Sequence, residues 1–171
     1  KEKSNFIDLR INSILIRRSN ISYDVLSEEE TENVFNTSHI SLKNLSVNIS
    51  VKALSTDSVN VQLKRIALDE KSGFKVKKLS LTAIGNNRGL SITGFNFATA
   101  NSNIYSDSIY VEYDSLDAIK DISRLKYRGD IKAEVHPSDI GMFVPALSNF
   151  NENININSSF YSNGEKRHVM D

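Results

Sequence analysis

An eight-residue pattern, apolar-x-apolar-x-x-apolar-x-apolar, constrains the fold of this chain more than any other feature. Its clean copies are Ile40-Leu42-Leu45-Val47, Val61-Leu63-Ile66-Leu68, Phe74-Val76-Leu79-Leu81 and Leu90-Ile92-Phe95-Phe97, with a blurred fifth at Leu9-Ile11-Ile14-Ile16. Ile, Leu, Val and Phe make up 51 of the 171 residues. At that usage chance supplies roughly 0.3 clean copies in such a length. Side chains alternate faces along a regular strand, so the internal step of three should throw the second apolar pair onto the opposite side from the first. A β-bulge cancels that flip, because one extra residue keeps all four apolar groups on one face and bends the strand. The other reading is a break or corner, with each apolar pair in a different strand.

The period of two around these units, together with 18 Ile and 11 Val against 14 Leu, favours strands over helices. Turn sequences separate the units: Asp69-Glu70-Lys71-Ser72-Gly73, Gly85-Asn86-Asn87-Arg88-Gly89 and Ala98 to Asn103. Ile109, Val111 and Tyr113 then alternate, as do Ile131, Ala133 and Val135, and Ile154 and Ile156 begin a last strand. The polar stretch from Ser27 to Ser38 reads as a surface loop tied down by Val34 and Phe35. Uneven spacing of the copies argues against a strict solenoid. Leu116, Ile119, Ile122 and Leu125 at steps of three predict a short helix over about 115–126, with Ser115 as its N-cap. Ser138 and Asp139 open a second short helix over about 138–147, distorted or ended by Pro145. The expected fold is mainly β: a curved antiparallel meander of bulged strands forming an apolar trough or partly closed half-barrel. Residues 1–171 read as a single β-rich segment.

Composition excludes several kinds of chemistry. With no cysteine there is no disulfide, thiol nucleophile or cysteine zinc site. Balanced totals of 21 basic and 21 acidic residues give no broad field for phosphates or an anionic bilayer, so no nucleic-acid partner is expected. His39, His136 and His168 stand apart from one another with no evident carboxylate beside them, and the acid pairs Asp107 with Asp114 and Asp69 with Glu70 sit near turns where acids are usually solvated. Phosphate-cradling glycine loops and metal-ligand spacings are absent, so no catalytic residue, metal or cofactor is assigned and the chain reads as non-enzymatic. Lys75, Lys77 and Lys78 around Val76 read first as protection of an exposed sheet edge. Asn-x-Ser/Thr sequons at Asn20, Asn36, Asn44, Asn48 and Asn157 are what an Asn- and Ser-rich chain makes by accident. The chain begins at Lys1, and its only methionines are Met142 and Met170. It therefore reads as an excised or processed segment, with any signal peptide or anchor upstream.

What remains is a bent sheet with one apolar face. If that face stays open it is a ligand site, since contiguous apolar surface marks interaction. The lining residues would be Leu63, Ile66, Leu68, Phe74, Val76, Leu79, Leu81, Leu90, Ile92, Phe95 and Phe97, in nonspecific contact with phospholipid acyl chains. If the face is wholly internal, the chain is a closed β scaffold or adhesin-like domain without lipid. A glycan-binding sandwich would need exposed aromatics or paired acids, and the chain has no Trp.

The order of certain motifs adds a family. Phe35-Asn36-Thr37-Ser38-His39-Ile40 leads into Leu42-x-x-Leu45, and Leu63-x-x-Ile66-x-Leu68-Asp69-Glu70-Lys71-Ser72-Gly73-Phe74-x-Val76-x-x-Leu79 follows. Ser102-x-Ile104 lies in a short turn, before Ser138-Asp139-Ile140-x-x-Phe143-x-Pro145-x-Leu147. Over about residues 5–165 this resembles the AsmA-like, TamB-type envelope proteins of Gram-negative bacteria. The resemblance implies one periplasmic stretch of a long protein anchored upstream in the inner membrane. Its curved sheet would carry lipid along an apolar face, beside adjoining segments of the same chain. Work with an Omp85-type outer-membrane barrel in inserting barrels is implied for some such proteins.

Overall fold

The computed structural model describes residues 8–55, 57–114, 121, 125–164 and 168–170. Its strands are β1 (Leu9–Asp24), β2 (His39–Leu54), β3 (Ser58–Glu70), β4 (Lys75–Asn86), β5 (Gly89–Ala98), β6 (Asn103–Glu112), β7 (Lys126–Val135), β8 (Ile154–Asn163) and β9 (His168–Met170). All belong to one antiparallel sheet whose spatial order is the order in sequence. The meander is open: β1 and β9 are its edges and do not pair.

Strand register decides between bulge and corner. Leu63 pairs with Leu81 and Ile66 with Leu79, so three steps on β3 span two on β4. Leu68 then pairs with Val76, where β4 carries the extra residue instead. Directly opposed residues share a face, so Leu63, Ile66, Leu68, Val76, Leu79 and Leu81 all point to one side. The other copies behave alike. On β2 the shift lies between Lys43 and Ser46, where Asn44 has φ 55°, and on β5 the extra residue falls beside Gly94, φ 61°. Left-handed backbone is the conformation that Gly and Asn tolerate best. Phe74 alone departs from the expected pattern, because it precedes β4 and sits in the β3–β4 turn.

Because every bulge restores the alternation, apolar residues align into rows that cross the whole sheet. One row runs Ile11, Val51, Val61, Ala83, Ile92, Ile109, Gly129, Phe160, Met170, from edge to edge. Another runs Ile16, Val47, Ile66, Leu79, Phe97, Ile104, Ala133, Ile156. In the first row Gly129 leaves room for a ring, since a Cβ there would lie 2.8 Å from Cζ of Phe160. The opposite face is polar: Ser50, Gln62, Thr82, Thr93 and Ser108 form one of its rows.

Strands contact their sheet neighbours and no second layer of strands packs on either face among the described residues. The core is correspondingly thin. Leu45, Val51, Leu63 and Val76 are buried, whereas Ile66, Leu79, Ile92 and Phe97 are only half-buried.

Two helical expectations meet different ends. The one over about 115–126 falls almost wholly outside the described residues. In place of the one over 138–147 are two 3-10 turns, Pro137–Ile140 and Pro145–Leu147. Pro145 lacks the N–H that a continuous helix needs, and the chain doubles back at Gly141, where a Cβ would come 2.7 Å from Cα of Ser148. Ser138 does not cap; His136 occupies that position, with no side-chain cap. The lysines of β4 require a new explanation as well. β4 lies between β3 and β5, so Lys75, Lys77 and Lys78 protect no edge.

If the bulge on β3 holds the register, two single-residue deletions two positions apart should differ sharply. Removing Lys64 turns the step of three into a step of two and leaves every apolar residue on its face, with a loss of stability below about 1 kcal/mol. Deleting Gln62 forces Val59 and Val61 onto the polar face and should cost at least about 2 kcal/mol more. Urea unfolding of the two variants measures the difference; equal midpoints would sink the account.

Candidate functional site

Ten of the eleven residues expected to line a groove lie on the apolar face of the sheet. Leu63 and Val76 are buried at its centre. Ile66, Leu68, Leu79, Leu81, Leu90, Ile92, Phe95 and Phe97 are half-buried around them. Phe74 is at one end, its ring against that of Phe143.

At that end the connections between strands converge. Phe35, from the β1–β2 loop, lies 4.9 Å from Phe143 between ring centroids, and Phe74, from the β3–β4 turn, lies 5.1 Å from the same ring, edge-on. Phe35 N–H donates to the Met142 carbonyl at 3.1 Å. Phe143 belongs to the β7–β8 connection. In a flat sheet β2 and β7 would stand roughly 24 Å apart at the usual spacing. Contact between their loops therefore means that this end of the sheet is bridged by a cap.

A buried carboxylate fastens the cap. Asp139 accepts hydrogen bonds from the Asn101 N–H at 2.8 Å, the Asn101 side-chain amide at 2.7 Å, and the Ser102 N–H and hydroxyl at 2.8 Å each. The Thr99 hydroxyl also donates to it. Burial works to raise its pKa, but these donors together lower it to about 2. The β5–β6 turn is thereby tied to the β7–β8 connection. Glu70, also buried, ties the β3–β4 turn to β2, accepting from Ser72 N–H at 2.7 Å, Ser41 N–H at 3.3 Å and the Ser72 hydroxyl. Its burial likewise opposes ionisation, and the donors from Ser72, Ser41 and Lys71 still hold it below the ordinary glutamate range. Each carboxylate is ionised at neutral pH with its acceptor sites occupied, which suits anchoring.

His39 is buried, with Nδ1 3.3 Å from Asp24 Oδ1 and Nε2 2.9 Å from the Glu28 carbonyl. No short spacing in the sequence sets a carboxylate beside it. Antiparallel pairing of β1 with β2 sets Asp24 directly opposite, across 15 residues of chain. Among the described residues no group of three or more His, Asp or Glu side chains could hold a metal ion.

At the other end the apolar face deepens into a depression of about 490 Å³, lined by Ile109, Val111, Leu125, Tyr127, Phe160, Val169 and Met170. None of these was among the expected lining residues. Alternation at Ile109 and Val111 was visible in the sequence, but Phe160 and Met170 join them only through pairing of β7, β8 and β9. The site is thus an apolar sheet face, aromatic-capped at one end and hollowed at the other.

Compared with known proteins, the chain matches no family model, no curated protein and no solved structure.

The Asp139 anchor has a pH signature. Its folded pKa of about 2 lies below the ordinary 3.8, so its contribution is fully present above about pH 4 and is lost as pH falls through 2. Asp139→Asn should therefore be less stable than the parent at pH 7 by about 1–3 kcal/mol, with donors left unpaired. The gap should shrink between pH 4 and pH 2. Chemical unfolding across that range checks it, and a gap independent of pH would refute the role.

Proposed function

We propose that this chain is a periplasmic stretch of an AsmA-like, TamB-type envelope protein whose apolar sheet face carries phospholipid acyl chains. The observation that supports this reading is the set of unbroken apolar rows, half-exposed along their length and uncovered by any second layer of strands among the described residues. A face of that kind is unfavourable in water unless something apolar lies on it. Burying an acyl chain of ~16 carbons at ~0.8 kcal/mol per methylene recovers ~13 kcal/mol before ordering costs, enough to hold a lipid without head-group recognition. The surface suits sliding, because Ile, Leu, Val and Phe contacts are alike from row to row. With an aromatic cap at one end, chains enter at the hollowed end or from the side.

In this reading the partners are acyl chains, adjoining segments of the same chain and an Omp85-type outer-membrane barrel. The protein is anchored in the inner membrane by an upstream segment and does no chemistry of its own. The competing reading, a scaffold whose apolar face is permanently covered by protein, predicts a different occupant for the same rows.

A photo-crosslinking residue placed in turn at Ile66, Leu79 and Phe97 decides between them. Lipid transfer predicts phospholipid adducts in cells at all three, and co-purified phospholipid in native mass spectra of gently extracted protein. Adducts to protein alone, with no lipid in the spectra, would overturn the proposal and favour the scaffold.

A further inference from the structure

The polar face carries a feature that lipid transfer does not use. Keeping four apolar residues on one side of a bulged strand places the two residues between them together on the other side. On β2 to β4 those paired positions are Lys43-Asn44, Lys64-Arg65 and Lys77-Lys78; on β1, where the quartet encloses Asn12-Ser13, a further register shift between Ile16 and Ser19 does the same for Arg17-Arg18, and all four of these pairs with a basic residue are exposed. Seven of the chain's 21 basic residues thus occupy bulges on four neighbouring strands. The bulges meet at a depression of about 290 Å³ whose lining includes Arg18, Arg65, Lys75, Lys77, Asn44 and Asp69.

Its charges are not cancelled from within. Asp69 is the one carboxylate of the lining, held by Asn44 Nδ2 at 2.8 Å and Lys75 Nζ at 3.3 Å. Lys77 Nζ is tethered to the Ala100 carbonyl. Neither the Arg18 nor the Arg65 guanidinium has a hydrogen-bond or ion-pair partner among the described residues, whereas Arg10 on β1 pairs with Asp8. Four cations against one carboxylate leave an excess of three positive charges around a depression roomy enough for a small anion. Guanidinium forks match tetrahedral oxyanions in two-point contacts, and a dianion balances this excess better than a monocarboxylate does.

We propose that this depression is a binding site for a phosphate-class dianion, with Arg18 and Arg65 as its principal contacts. The phosphate could belong to a soluble ion or to a lipid head group, and the test separates the two.

Backbone NMR of the full chain is followed through titrations with inorganic phosphate and, at matched ionic strength, sodium chloride. Saturable shifts at Arg18, Arg65 and Lys77 with phosphate and not with chloride are expected. Arg18→Gln and Arg65→Gln should each weaken binding about tenfold while leaving the urea midpoint unchanged. A second arm floats the protein with phosphatidylcholine vesicles containing phosphatidic acid. Co-flotation that both variants lose assigns the phosphate to a head group; phosphate binding without flotation assigns it to a soluble ion, and either supports the site. Equal responses to phosphate and chloride, or binding that survives both substitutions, would overturn it.

Discussion

A strand that alternates faces can keep an apolar stripe only while its apolar residues stay an even number of steps apart. Four strands here break that count with a step of three, and each recovers it by a bulge. Everything else depends on that recovery. Without it Val61 and Leu63 would lie on the side opposite Ile66 and Leu68, each face would be half apolar, and no row could cross the sheet. With it the pairing of β3 with β4 propagates to β5 through Leu79 and Phe97, then to β6 and β7 through Ile104 and Ala133. A local irregularity thus becomes long-range order, because each bulge must match the register of the next strand.

The cap supplies what an open meander lacks. Sheet neighbours are joined by ladder hydrogen bonds, but nothing in a single layer ties the first strands to the last. The β7–β8 connection performs that task with an aromatic cluster around Phe143 and a buried carboxylate, Asp139. Such carboxylates are costly to bury alone and become effective anchors once saturated with donors. Thr99, Asn101 and Ser102 are small polar residues in a turn, able to aim several donors at one point.

Much of this was legible beforehand. The meander, its turns and the apolar side of each quartet follow from period-two patterning, which is local and strong. The cap was not, because Phe35, Phe74 and Phe143 are brought together by topology and no spacing in sequence connects them. Ser138 and Asp139 looked like a helix start since an acid after a serine commonly plays that part. Here the carboxylate serves another turn instead, and Pro145 and Gly141 break the chain into two short 3-10 turns. The depression at Phe160 and Met170 escaped for a related reason: three short strands must pair before their scattered apolar residues form a surface.

Charge balance conceals an uneven distribution. Equal numbers of acidic and basic residues do exclude a molecule-wide field, yet a sum over the chain is blind to where pairing puts the charges. Bulges sort residues, because two consecutive positions must share the solvent side, and on β1 to β4 those positions are mostly Lys and Arg. Acidic side chains other than Asp69 fall elsewhere: Glu70 and Asp139 are buried at the cap, Asp24 faces His39, and Asp130 meets β6 through the N–H groups of Asp107 and Ser108. The segregation therefore arises from the same geometry that keeps the apolar face intact. A strand that stayed regular would have had one polar residue between successive apolar ones and no side-by-side cations. One device shapes both surfaces: the extra residue that aligns Ile, Leu and Val on one side crowds positive charge on the other.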